Sequence, residues 1–300
     1  MGTPDFAVPC LKTLVESDVT VVGVVSQPDR PKGRGRNITP TPVAAAARDA
    51  GCPLFQWSRL NQESYDTLKA LEADLFVVVA YGKILPARYL SLPTHGCWNV
   101  HASILPKLRG AAPIQWALIH GMSSTGVSLM QLDEGMDTGP VAHVKRLEIR
   151  PTETAATLHD RLSLLGAQTL ADGLKLMAQD KLIFRIQDHE QATHARPLSK
   201  ADGRVDWSQS AQTIYQRYQG MSPWPGCTVD GRVEQLKLIS LKPTHGTGTP
   251  GQVLNFDKQG IQVAAGEGAI LITKIQRPNR KPVSGIEYAR AVNLEIGQQL

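Results

Sequence analysis

The chain has 300 residues, of which 42% are apolar and 20% charged, with a net charge of +5 and a pI near 9.0. These are the values of an ordinary globular protein long enough for about two domains. They exclude a membrane-spanning chain, because no apolar run approaches the roughly 20 residues a bilayer requires. The basic excess lies late, with 12 basic against 8 acidic residues from Lys200 onward and 20 against 19 before it. That bias fits a nucleic-acid partner but is weak evidence by itself.

The first residues show no basic segment followed by an apolar one, so no secretory signal is read. Gly2 is not followed by a myristoylation pattern, since Asp5 and Phe6 break it. A cytoplasmic location is expected. Met1-Gly2-Thr3-Pro4 has the form of a strand-to-helix turn, with a helix running from Pro4 to Glu16. An open α/β domain brings a strand into such a turn, and the written sequence has none there. The sheet is therefore expected to lack its first strand and to be less stable for it. Residues 19–25 form a β-branched run suited to a strand buried on both faces. Residues 27–41 carry Arg30, Lys32, Arg34 and Arg36 among Pro and Gly, and read as a flexible basic loop.

Helices are expected at 41–50 and 60–71, the first ended by Gly51. Strands follow at 75–80 and 96–101. A helix at 112–120 stops at Gly121, and strands return at 125–132 and 141–149. A long amphipathic helix spans 152–179, with Leu158, Leu162, Leu165, Leu170, Leu174 and Met177 near helical spacing and Thr152 and Glu153 as its cap and first-turn acid. Strands alternating with helices imply an α/β domain, a doubly wound and mainly parallel sheet over residues 1–180 that binds ligands at the carboxyl ends of its strands. Residues 181–207 read as a linker or extended crossover. A short helix is expected at 208–219, then Pro223-Trp224-Pro225-Gly226 as rigid punctuation. Short strands divided by Gly and Pro suggest a small β-barrel over 208–300, closed by a helix at 284–293.

Four cysteines, Cys10, Cys52, Cys97 and Cys227, are scattered without a Cys-x-x-Cys pair. They suggest neither a structural zinc site nor a disulfide framework. The remaining histidines lack partners at metal-ligand spacing, and Trp207 and Trp224 read as packing anchors.

The stretch richest in chemistry is Trp98-Asn99-Val100-His101-Ala102-Ser103-Ile104-Leu105-Pro106. Asn99 and His101 stand two apart on a strand, so both side chains project from one face near its carboxyl end. A carboxamide donor beside an imidazole suits a tetrahedral oxyanion with proton management close by. The same pair also serves a strand end that needs structural hydrogen bonds. Asp137 follows in the Gly-flanked loop Glu134-Gly135-Met136-Asp137-Thr138-Gly139, where a carboxylate could orient the imidazole or close an Asx turn. Asp133 and Glu134 read as solvated loop acids.

Taken together, the Asn99-x-His101 pair, the Ser103-Ile104-Leu105-Pro106 turn and the Asp137-Thr138-Gly139 loop resemble the 10-formyltetrahydrofolate-dependent formyltransferase fold family. The segments Gly2-Thr3-Pro4-Asp5-Phe6, Gln27-Pro28-Asp29-Arg30-Pro31, Val79-Ala80-Tyr81-Gly82, Arg109-Gly110-Ala111-Ala112-Pro113-Ile114-Gln115, Asp206-Trp207 and Pro223-Trp224-Pro225 extend the resemblance over nearly the whole chain. They narrow it to the branch acting on charged initiator tRNA.

The resemblance implies a Rossmann-like formyltransferase domain followed by an OB-like barrel that binds tRNA. The implied reaction moves a formyl group from 10-formyltetrahydrofolate to the α-amino group of methionine on initiator tRNA. Asn99, His101 and Asp137 match the catalytic trio. Ser103, Ile104, Leu105 and Pro106 match the folate-contacting turn, and Leu85 with Glu134, Gly135 and Met136 falls where the pterin is held. Lys32, Arg34 and Arg36 fall on the loop inserted at the tRNA acceptor end. No metal, membrane or obligate protein partner is implied. Ala102 and Ile104 replace the commoner Gly and Leu, which are mild changes. Three rivals remain: an amine on a sugar nucleotide or glycinamide ribonucleotide as acceptor, hydrolysis of the formyl donor, and tRNA binding without turnover. The basic loop argues against the first and the intact trio against the last.

Overall fold

The backbone's need for hydrogen-bond partners sets how far each strand extends. The computed structural model describes residues 1–32, 37–231 and 234–300. Its chain divides into two compact units, one of Met1–Pro113, Ser124–Glu148 and His159–Ala195, the other of Ile114–Ser123, Ile149–Leu158 and Arg196–Leu300. The segment expected as a linker is thus shared, with residues 181–195 in the first unit and 196–207 in the second. Among the described residues no helix is long and apolar enough to cross a membrane.

In the first unit, α1 (Val8–Glu16) leads to β1 (Val24–Ser26), then β2 (Arg30–Lys32) and β3 (Asn37–Thr39). Next come α2 (Pro42–Asp49), β4 (Leu54–Gln56), α3 (Gln62–Ala70), β5 (Phe76–Val78), the short α4 (Ala87–Leu90) and β6 (Cys97–His101). Both longer helices of this stretch, α2 and α3, carry a side-chain cap. Thr41 accepts from the Ala44 amide at 3.1 Å, and Asn61 forms a capping box with Ser64. Strands β1 and β4 pair in parallel, as do β5 and β6. The backbone of Met1 and Gly2 joins the two pairs: Gly2 N donates to Val25 O at 2.9 Å and Val79 N to Met1 O at 2.8 Å. This explains a difference from expectation. Residues 19–23 have strand-like sequence but form no ladder, and β1 begins only at Val24, where β4 and Gly2 supply partners.

After α5 (Pro113–Ile119), strands β7 (Ser124–Gln131) and β8 (Val141–Glu148) complete the four-stranded sheet β5-β6-β7-β8, with β6–β7 and β7–β8 antiparallel. The sheet is therefore parallel at β5–β6 and antiparallel beyond. Of the basic stretch expected as a flexible loop, Arg30–Lys32 and Asn37–Thr39 are strands that pair antiparallel.

Helix α6 (Ala155–Ala178) starts later than expected. Thr152 and Glu153 lie before it, Glu153 accepting from the Arg150 amide at 2.9 Å, while Thr154 and Thr157 exchange the cap bonds. Gly166 and Gly173 let this helix approach the sheet closely. A Cβ at Gly173 would stand 2.2 Å from Leu129 Cδ2, and one at Gly166 would stand 3.0 Å from Val100 Cγ1. Trp98, Leu129, Leu162 and Leu170 are fully buried.

The second unit contains α7 (Ala211–Met221), β9 (Cys227–Asp230), β10 (Gln235–Thr244), β11 (Val253–Asp257), β12 (Gly260–Ala264), β13 (Ala269–Gln276), β14 (Val283–Ser284) and α8 (Gly285–Ala291). The strands form one antiparallel sheet in the order β11-β12-β13-β10-β9, with β14 on β13. The β10–β13 register shifts on either side of Ser240, as at a β-bulge. The two end strands of that order, β11 and β9, are not paired to each other among the described residues. Trp207 packs against the core of this unit, but Trp224 is 56% exposed and does not act as the anchor expected of it. Trp224 lies in the turn at 222–225, between Pro223 and Pro225.

Candidate active site

Strand β6 is buried throughout except at Asn99, which is half-buried. Asn99 and His101 share one face at its carboxyl end, as their spacing requires. Among the described residues the Asn99 carboxamide has no hydrogen-bond partner, whereas the His101 ring is held at both ends. Its Nε2 lies 3.0 Å from the Leu108 carbonyl oxygen, so Nε2 carries a proton and donates it. Its Nδ1 faces Asp137 Oδ2 at 3.6 Å, longer than a direct hydrogen bond. Both side chains are largely buried, at 7% and 15% exposure.

Asp137 reaches this position by an unusual backbone. Its φ is +55°, in the left-handed region that Asp tolerates better than most residues. The Oδ2 oxygen accepts from the Gly110 amide at 2.7 Å. Gly110 has φ +112°, and a Cβ there would stand 2.8 Å from the Ala195 carbonyl oxygen, so only glycine presents its N–H in this way. The Asx turn of the loop is made by Asp133 instead, which accepts from the Gly135 amide at 3.0 Å and the Thr138 hydroxyl at 2.7 Å. Of the two roles open to Asp137 in the sequence, the structure assigns the imidazole-facing one.

The turn after β6 is rigid. Ser103 donates its hydroxyl to the Lys107 carbonyl at 2.6 Å, and Ser128 on β7 donates to Ser103 O at 2.7 Å while accepting from Leu105 N at 3.0 Å. Ser103 and Leu105 are buried, while Ile104 and Pro106 are partly exposed. Leu85 is 6% exposed, within an apolar cluster that includes Tyr81, Tyr89 and Cys97. Glu134, Gly135 and Met136 are exposed on the loop that leads to Asp137. Lys32 ends β2. Arg34 and Arg36 lie outside the described residues.

Sequence reasoning missed the residues that hold these groups in place. Ser128 stands opposite His101 in the β6–β7 register, and its signal was a small polar residue within an apolar strand. Arg109 is 3% exposed and Gln187 7%, and their side chains bond to each other at 2.7 and 3.1 Å. Arg109 stood in a recognised segment without a role, and Gln187 stood in the expected linker. Burial raises the thiols of Cys10, Cys97 and Cys227 to about 12, which keeps them inert.

An amide donor, a clamped imidazole and a carboxylate at one strand end describe a site for addition to a carbonyl carbon without a covalent enzyme intermediate. Two family models match the chain, Formyl transferase over residues 1–174 and Formyl transferase, C-terminal domain, over residues 197–293. The chain belongs to the formyl transferase family. Within that family it is similar along its length to proteins named methionyl-tRNA formyltransferase. The one from Geobacter sulfurreducens is 43% identical over 100% of this chain and 95% of its own. The one from Xanthomonas axonopodis is 47% identical over 97% of this chain and 95% of its own. The fold is shared with an N-formyltransferase from Helicobacter canadensis solved with folinic acid and dTDP-3-aminofucose, at a TM-score of 0.69 and 14% identity over 90% of this chain and 96% of that one.

Proposed function

We propose that this protein transfers the formyl group of 10-formyltetrahydrofolate to the α-amino group of methionine on charged initiator tRNA, with Asn99, His101 and Asp137 carrying the step. The observation that supports this most is the convergence of Asp137 on the His101 ring, 3.6 Å from Nδ1, at the strand end that also bears the free Asn99 carboxamide. The formyl donor is a substrate consumed at each turnover.

The amine nitrogen adds to the formyl carbon, and the carbonyl oxygen becomes an oxyanion. Asn99 donates to that oxygen, and protonated His101, with its second proton on Nδ1, stabilises the charge. Asp137 keeps the ring oriented and takes part in moving the amine proton to the folate nitrogen as the carbon–nitrogen bond to the folate breaks. Nucleophilic catalysis by the protein is unnecessary, because the amine is itself the nucleophile. The donor is held by the Ser103–Pro106 turn, by Leu85 and by the loop of Glu134, Gly135 and Met136. The turn is well suited to this role because Ser128 fixes it from within the sheet.

For the acceptor, the support is the likeness over the full length to proteins named for methionyl-tRNA, together with the basic residues of the 30–36 sequence. Lys32, Arg34 and Arg36 neutralise tRNA phosphates there, and the second unit extends the footprint. Charged tRNA places the reaction in the cytoplasm.

The test is turnover of a labelled formyl donor with charged initiator tRNA, with a sugar-nucleotide amine, and with no amine. Transfer to the tRNA amine, lost in Asn99→Ala, His101→Ala and Asp137→Ala, is the expected result. Formate release without any amine, or preferred transfer to the sugar amine, would overturn the reading.

A further inference from the structure

The Asp137 peptide is held by a second grip that the trio does not include. The Gln187 amide nitrogen donates to Asp137 O at 2.8 Å and to Gly139 O at 2.6 Å, which uses both of its protons. The Gln187 amide oxygen accepts from Arg109 Nε at 3.1 Å and Nη2 at 2.7 Å. With donors on one side and acceptors on the other, the amide can stand only one way round. The Arg109 guanidinium also contacts His189 Nδ1 at 3.1 Å. Among the described residues no carboxylate faces Arg109, although it is 3% exposed. A buried cation is costly unless its hydrogen bonds are well made, so this one is committed to orienting Gln187.

The two grips meet in the sequence. Gly110 N–H holds the Asp137 carboxylate, and the Arg109 side chain, through Gln187, holds the Asp137 carbonyl. The Arg109 backbone is fixed in turn, since its N–H donates to Thr193 O at 2.8 Å and its carbonyl accepts from Ala195 N at 2.7 Å. Asp137 is therefore clamped at both ends by consecutive residues, in a left-handed conformation it would otherwise leave readily.

We propose that Gln187, oriented by Arg109, is a positioning residue for formyl transfer: it fixes the Asp137 peptide so that the carboxylate stays against His101. This rests on the assignment of Asp137 to the trio. The test is a double-mutant cycle of Gln187→Glu with Asp137→Asn, measured in the full chain. Gln187→Glu keeps an oxygen for Arg109 and removes both donors to the loop. A carboxylate displaced by about 1 Å costs on the order of 10- to 100-fold in rate. That loss should fall on kcat, with KM for donor and tRNA and the melting temperature nearly unchanged. In the Asp137→Asn background the same change should cost less than about 3-fold, because the two act as a unit.

A kcat for Gln187→Glu within about 3-fold of the parent, or a full loss that persists in Asp137→Asn, would overturn the proposal. If Asp137→Asn alone turns over normally, the trio assignment fails and this proposal with it. A slow Asp137→Asn beside a normal Gln187→Glu removes only the proposal. Should Gln187→Glu not fold, Arg109→Lys is read in the same cycle, because it leaves Gln187 in place without its two-pronged anchor.

Discussion

Replacing Asp137 with Asn removes one charge and almost no volume, so its effect reads the electrostatics of the site directly. The Asn oxygen can still accept from Gly110 N, which bonds Asp137 Oδ2 at 2.7 Å, so the loop should keep its place. What goes is the field of a carboxylate 3.6 Å from His101 Nδ1. At an effective dielectric of about 20, unit charges at that separation interact by about 4 to 5 kcal/mol, and at the bulk-water value by about 1 kcal/mol. The two side chains are 7% and 15% exposed, which puts the pair nearer the first figure. Only the part of this interaction that is stronger in the transition state than in the ground state affects the rate. The expected loss in kcat is therefore about 100- to 1000-fold, with tRNA affinity unchanged. The assay is single-turnover formyl transfer at saturating donor and enzyme, beside a melting curve that shows the fold intact. A rate within about 3-fold of the parent would refute the reasoning, because no charge that close could be removed so cheaply from a working site.

Four further outcomes follow from the same geometry. Gly110→Ala should lower the melting temperature and formyl transfer together, because φ +112° is strained for alanine and its Cβ would press on Ala195 O; about 2 kcal/mol of lost stability by denaturant titration is the expected scale. In the native protein a thiol reagent should modify Cys52 alone at pH 8, and the buried Cys10, Cys97 and Cys227, held up at about 12, should react only after denaturation. Asp202 accepts from Arg196 and from Ser199 N and Oγ, and these bonds hold its carboxyl well below the usual range. Its stabilisation is present above the unfolded value near pH 4 and is lost as pH falls below it, so Asp202→Asn should cost about 1–2 kcal/mol at pH 7 and progressively less below about pH 4. Arg34→Ala with Arg36→Ala should weaken tRNA binding and flatten its salt dependence by about one unit of slope per lost phosphate contact, leaving donor binding unchanged; unchanged tRNA affinity would remove these residues from the interface.

The elements most plainly written in the sequence are those whose signals are local. The helices expected at 41–50 and 60–71 form within those bounds, as Pro42–Asp49 and Gln62–Ala70. The alternation of strands with helices in the first half, and of short strands with glycines in the second, was likewise sufficient for the two architectures. Periodicity alone also placed Asn99 and His101 on one face of a strand end. The misjudged elements are those whose signals were not local. Residues 19–23 have β-branched composition, but a ladder needs a neighbour, and that depends on the rest of the sheet. Trp224 looked like an anchor by its chemistry, yet its side chain is left exposed.

The sequence by itself determined the residue types of the site and the spacing of two of them, because side-chain direction on a strand follows from its two-residue repeat. Only the tertiary structure decided how Asp137 is brought to the imidazole. That placement depends on one left-handed residue, on a glycine amide 27 positions away, and on a glutamine 50 positions away that holds the peptide in place. Contacts at such separations leave no periodic trace in the chain, since each is fixed by where several packed segments end rather than by the pattern within any one of them.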